Sequence, residues 1–110
     1  MKTLTLPLKR KWFNMIKRGK KLEEYREIGE YWAKRLLKNY PEYYNQIQVL
    51  HDVANGFKKF DKLVFTLGYP RNDDTSRRLE FKNPKIRIGT GRPEWGAKPG
   101  KVYFIITWDR

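Results

Sequence analysis

The stretch Arg18 to Ile28, "RGKKLEEYREI", is where a helical pattern gives way to an extended one. Upstream, in "PLKRKWFNMIKRG", Leu8, Trp12, Met15 and Ile16 recur at helical spacing, with Pro7 suited to the first turn of that helix. Lys9, Arg10, Asn14, Lys17 and Arg18 fall mostly off that face, and Gly19 is the expected stop. Basic residues in the last turn suit the negative end of the helix dipole. Downstream, "LEEYREI" alternates as a strand. Leu22, Glu24, Arg26 and Ile28 share one face, and Glu23, Tyr25 and Glu27 share the other. The question is why three glutamates cluster beside an arginine in so basic a chain. Either they are solvated face charges, or opposite charges are held together for a purpose.

From this junction the pattern extends both ways. "TLTL" reads as a short first strand. "EYWAKRLLKNY" reads as a second helix, with Trp32 and Leu36 four residues apart, Tyr31 and Arg35 likewise, and Pro41 as its end. "EYYNQIQVLHDVANGFKKF" is ambiguous between a short helix and a long ordered loop. "KLVFTLGY" alternates as a strand, and "PRNDDTS" is turn chemistry. "RLEFKNPKIRIGTG" is a further strand in which Pro84 implies a bend or an edge position. "RPEWGAKPG" is a loop rich in proline and glycine. "KVYFIITWD" closes the chain as a strand, with Val102, Phe104, Ile106 and Trp108 on one side. The order predicts an α+β fold, one domain over residues 1–110, with a curved sheet closing toward a small barrel.

Composition narrows the function classes. The chain has 110 residues, a formal net charge of +13 and 15% aromatic residues. Rings bury large areas, so a small core built on them is feasible. The charge favours a polyanionic partner, with nucleic acid first. A membrane surface is disfavoured, since no amphipathic basic helix stands apart from the core pattern. Cysteine is absent, which excludes disulfides, thiol catalysis and thiolate metal sites. His51 is the one histidine, so no imidazole cluster forms within a chain. The first residues lack the apolar run of a signal peptide, and the expected compartment is the cytoplasm. No metal and no cofactor are expected, and the chain is expected to be a monomer.

The spacing Gly19-x-Lys21-x-x-Glu24-x-Arg26 resembles the signature of the ASCH domain family, a branch of the PUA-like barrels. The resemblance covers nearly the whole chain. It includes "GY" at Gly68 and Tyr69, "GTGRPEWGA" at Gly89 to Ala97, and the closing "YFIITW", as in small bacterial and phage members. It implies a small PUA-like β-barrel with two or three flanking helices. It also implies association with RNA, and a cleft lined by the signature residues. Some compact members are amidohydrolases acting on N4-acetylcytidine, with the signature lysine as nucleophile, a threonine three residues later and a more distant glutamate. Lys21 matches that lysine. Glu24 stands at the threonine position, which departs from the pattern. Glu94, with Glu80 behind it, is the candidate for the distant glutamate. Other members are ribonucleases. This chain has no histidine pair for acid–base cleavage, so Lys21 and Glu24 would have to act instead.

The residues themselves allow two readings. Glu24 and Arg26, two apart on one strand face, form either a structural ion pair or a planar fork for a nucleobase or phosphate. Lys21 is either a solvated lysine or, with Lys20 and Arg26 near it, an amine that loses its proton more readily and serves as nucleophile or base. Trp12 and Trp32 read as core and Trp95 as a candidate stacking ring, with Tyr69 behind it. Glu23 and Glu27 read as solvated charges. A catalytic role for His51 is not favoured. The first hypothesis is therefore a binding module for RNA or modified nucleotides. It uses Lys21, Glu24, Arg26, Trp95 and Tyr69, with basic surface from Lys9, Arg10, Lys17, Arg18 and Arg35. The second is a metal-free hydrolase with Lys21, Glu24 and Glu94 as its catalytic set.

Overall fold

A computed structural model describes residues 2–38 and 56–110 of the chain. The elements run in the order β1 (Thr3–Leu8), α1 (Arg10–Lys17), β2 (Glu24–Glu27), α2 (Glu30–Leu36), β3 (Lys62–Leu67), β4 (Arg78–Thr90) and β5 (Val102–Asp109). The fold is α+β. The strands form one sheet in the order β1-β3-β4-β5-β2. β1 is parallel to β3, whereas β3 with β4 and β2 with β5 are antiparallel, so the sheet is mixed. β1 and β2 are its two end strands, and among the described residues the sheet is not closed into a barrel. No helix among them is long and apolar enough to cross a membrane.

The chain divides into two units. The first comprises Met1–Glu23, Lys59–Lys85 and Thr107–Arg110, and the second Glu24–Lys58 and Ile86–Ile106. In the first unit β3 is the central strand, and its residues Leu63 to Thr66 are all buried. A strand covered on both faces reads as a continuous apolar run rather than an alternation. Leu4, Leu6 and Leu8 of β1 supply one buried face, in register with Leu63, Phe65 and Leu67. Phe65, Phe81 and Trp108 form a ring cluster with centroids 5.0–6.0 Å apart.

The helix α1 packs on β3 and begins later than its sequence pattern predicts. Pro7 lies inside β1 and Leu8 is a buried strand residue, so neither belongs to the helix. The reason is topological: β1 is an end strand, where a sheet tolerates proline. The buried residues of α1 are Phe13 and Ile16, while Trp12 and Met15 are half-buried. Gly19 ends the helix as expected. With φ of +74° it lets the Gly19 amide reach the Ile16 carbonyl at 3.0 Å and the Lys20 amide reach the Met15 carbonyl at 2.8 Å. These two bonds are a Schellman cap, in which glycine supplies the left-handed residue.

In the second unit, strand pairing is confined to Glu24–Glu27 of "LEEYREI", with Tyr25 opposite Ile105 and Arg26 opposite Phe104. Leu22 does not share the buried side with Ile28; it is exposed and precedes the strand. The helix α2 stops at Leu36, before Pro41. The chain turns extended at Leu37 and pairs with Phe57, and the Lys58 amide donates to the Leu36 carbonyl at 2.8 Å. That pairing takes up backbone groups that would otherwise continue the helix. Pro41, His51 and most of the ambiguous "EYYNQIQVLHDVANGFKKF" lie outside the described residues.

β4 runs through Pro84 without breaking. Its register with β3 ends at Lys82, and Asn83 follows with φ of +52°, held by its side-chain amide donating to Asp109 Oδ2 at 3.0 Å. Asparagine is among the residues that tolerate this backbone region. The bend expected at Pro84 is thus a local change of backbone just past the β3 pairing. On β5, Val102 is exposed, whereas Tyr103 to Ile106 are consecutively buried instead of alternating.

Candidate nucleic-acid interface

The strand β2 places Glu24 and Arg26 two residues apart, on one side of the strand. Glu24 is buried, with 4% of its surface exposed. Its carboxylate accepts the Tyr25 amide at 2.9 Å and lies 3.3 Å from Arg26 Nη1. The same guanidinium donates to the Tyr25 carbonyl at 3.0 Å and rests over the Trp32 ring at 5.1 Å. Three contacts therefore hold Arg26 in place. A guanidinium held between a carboxylate and an indole can present a donor fork, which a flexible ammonium does not.

Tyr25 lies between them in sequence and points the other way. Its ring meets Tyr103 at 5.7 Å, and its hydroxyl accepts the Arg92 amide at 3.0 Å. Gly91 lets this happen: a Cβ there would come within 2.5 Å of the Tyr25 ring and 2.8 Å of Ala97 Cβ. The "GTGRPEWGA" segment is thereby tied to β2 through backbone proximity that only glycine permits. Within that segment Trp95 is buried at 9% exposure, with the Arg92 guanidinium 4.8 Å above its ring. The sequence offered Trp95 as a candidate stacking ring; here the ring is largely buried within its segment. Glu94 beside it is exposed.

Farther along the second unit, Arg35 is exposed and lies 3.8 Å over the Tyr31 ring, one helical turn away. Trp32 is half-buried rather than core, and carries Arg26 on its ring. Glu27 at the end of β2 is exposed and pairs with Lys101 Nζ at 2.6 Å. The hydrogen bond from Lys101, and then its charge, lower the Glu27 carboxyl below its ordinary value. The same hydrogen bond raises Lys101 above its own.

In the first unit the remaining candidates separate into one buried group and several exposed ones. Lys21 is 1% exposed, the least solvated cation among the described residues. Its Nζ sits 4.4 Å from the Trp12 ring centroid, and Lys11 Nζ lies 4.7 Å from the same ring. Trp12 is half-buried and is not a plain core residue. The Lys21 amide donates to the Met15 carbonyl at 3.2 Å, an extension of the cap that Gly19 begins. Lys9, Arg10, Lys17, Arg18 and Lys20 are exposed. Tyr69 is 93% exposed, after a turn in which Gly68 takes φ of +63°. Glu80 pairs with Lys62 at 2.8 Å on the wall of an open cavity of about 460 Å³.

The unit boundary falls between Glu23 and Glu24, inside the signature, so Gly19 and Lys21 belong to the first unit and Glu24 and Arg26 to the second. Sequence reading placed Trp12 and Trp32 in the core and noted Tyr31 only by its spacing from Arg35, whereas each of these rings carries a cation; it gave no role to Tyr25, whose hydroxyl accepts the Arg92 amide. Only the Tyr31–Arg35 pair carried a local signal, its spacing of four. Among the described residues, no group of His, Asp or Glu side chains is placed to hold a metal ion. No family model, curated protein or solved structure matches this chain.

Proposed function

We propose that this chain is an RNA- or nucleotide-binding domain of the ASCH type, a PUA-like fold, acting as a monomer in the cytoplasm. Its recognition element is the signature Gly19-x-Lys21-x-x-Glu24-x-Arg26. The observation that carries this reading is the buried Glu24 carboxylate beside an Arg26 guanidinium laid against Trp32, in a chain of net charge +13. A guanidinium held in place suits a base edge or a phosphate. Exposed Lys9, Arg10, Lys17, Arg18 and Arg35 supply the nonspecific attraction.

The test is Arg26→Lys, which keeps the charge and removes the fork. Its affinity for a fluorescent single-stranded RNA should fall about tenfold, the loss of one good charge-assisted contact. Unchanged affinity in a folded variant would remove Arg26 from recognition.

The hydrolase reading is favoured by one observation, the nearly complete burial of Lys21. Buried lysines are uncommon and recur as nucleophiles and bases. The binding reading expects no acetate release from N4-acetylcytidine by the wild type, because Glu24 occupies the position of the deacetylases' threonine. Release by the wild type that is lost in both Lys21→Ala and Lys21→Arg would establish the hydrolase instead.

A further inference from the structure

The second unit carries an array that the signature does not account for. Arg35 lies 3.8 Å over Tyr31, and the Tyr31 and Trp32 rings meet edge to face, with centroids 5.0 Å apart. Arg26 then lies 5.1 Å over Trp32 and 3.3 Å from Glu24. Cation, ring, ring, cation and carboxylate follow one another from the surface of α2 to the buried end of β2. At the outer end Tyr31 is 58% exposed. More than half of Tyr31 is therefore in water at the head of an ordered stack, beside the guanidinium that covers part of its ring. Its surroundings are basic: Lys34 and Lys38 are exposed, and Lys58 Nζ donates to the Lys34 carbonyl at 3.2 Å.

We infer that the exposed side of α2 is a stacking platform for unpaired bases of single-stranded RNA, with Tyr31 taking a base and Arg35 the adjacent phosphate. This rests on the RNA-binding reading above and names its substrate class. Two features select the occupant. Every base has a π-face, so an exposed ring binds single strands without regard to sequence, and cations beside it meet the backbone. A duplex hides those faces in its own stack, so it gains nothing from Tyr31. The array also links the two contacts, because Trp32 touches Tyr31 on one side and the Arg26 guanidinium on the other.

The test uses the full chain, a fluorescein-labelled oligouridine, and the same oligomer annealed to its complement. Tyr31→Leu keeps helix propensity and apolar bulk but loses the π-face. It should weaken oligouridine binding about tenfold, leave the salt dependence unchanged and leave duplex binding unchanged. Tyr31→Phe should bind as the wild type does. Arg35→Ala should weaken binding and flatten the salt dependence together. Ultraviolet cross-linking of the unaltered protein to oligouridine should mark Tyr31 or Trp32. If Tyr31→Leu binds normally while Arg26→Lys binds weakly, the platform is wrong and the signature reading stands. Cross-links confined to other residues would overturn the platform in the same way. If the wild type fails to bind oligouridine even at low salt, both readings fall.

Discussion

Two groups of rings show what aromatic residues do in this molecule. Phe65, Phe81 and Trp108 meet one another at 5.0–6.0 Å, with Phe65 fully buried on the central strand β3. Tyr31 and Trp32 meet at 5.0 Å as well, and each carries a guanidinium, as Phe81 at the edge of the first group does with Arg110 5.4 Å over its ring. The first group gains by removing carbon from water. The second has no fully buried ring, and both its rings turn a face to a guanidinium. The same residue type therefore packs around a buried ring in one place and holds guanidinium groups near the surface in the other. What separates them is burial: the first group is built on Phe65, which is fully buried, whereas Tyr31 is 58% exposed and Trp32 half-buried.

The comparison breaks most visibly at Phe65. Phe65→Ala should lower stability by about 3–5 kcal/mol, read as a drop in the urea midpoint, because it opens a cavity in the ring cluster. A loss no larger than that of a surface substitution would mean that the cluster is not the stabilising element. Next comes Gly91→Ala. Its methyl would collide with the Tyr25 ring, and about 1–3 kcal/mol of stability should be lost with no charge or polar group removed. A neutral result would show that β2 and the Gly89–Ala97 segment give way easily.

Trp32→Leu sharpens the contrast. It should cost only about 1 kcal/mol of stability, since it keeps apolar bulk and loses the cation contact, yet it should weaken RNA binding clearly. A loss as large as that of Phe65→Ala would place Trp32 with the core rings. The smallest effect belongs to Glu27 and Lys101. Glu27 titrates below its ordinary 4.5, so the pair's contribution is present above that pH and fades as acid carries the solution down through the lowered value. Lys101 is raised above its ordinary 10.5, so the contribution fades again as alkali carries the pH up through the raised value. Exposed pairs contribute little. Lys101→Met should therefore leave the urea midpoint at neutral pH unchanged within error. A clear shift would show that this pair fastens β2 to the start of β5.

The fold was legible where local chemistry settles it. Gly19 ends α1 because only a left-handed residue completes the cap, and glycine adopts that conformation without strain. β3 and β5 were legible from apolar runs too short and too β-branched or aromatic for helices. Pro7 misled, because strand order decides whether a proline sits in a helix or on a sheet edge, and strand order is not local. The end of α2 was missed for the same reason: its stop is a pairing with residues twenty positions away. In the site, Glu24 and Arg26 were legible from a spacing of two. Their partner Trp32 was not, because no short pattern links a strand arginine to the ring of the next helix. Trp95 was read as a candidate stacking ring from its proline- and glycine-rich loop, yet the ring is largely buried, in a segment whose Gly91 and Ala97 allow close approach to Tyr25.

The central claim is that this charge serves nucleic acid. It is tested most directly by titrating a fluorescent single-stranded RNA with the wild type across salt concentrations from about 50 to about 200 mM. Contact with three or more phosphates predicts that the logarithm of the association constant falls with the logarithm of salt at a slope of about −2 or steeper. A flat line, or no binding at the lowest salt, would contradict it.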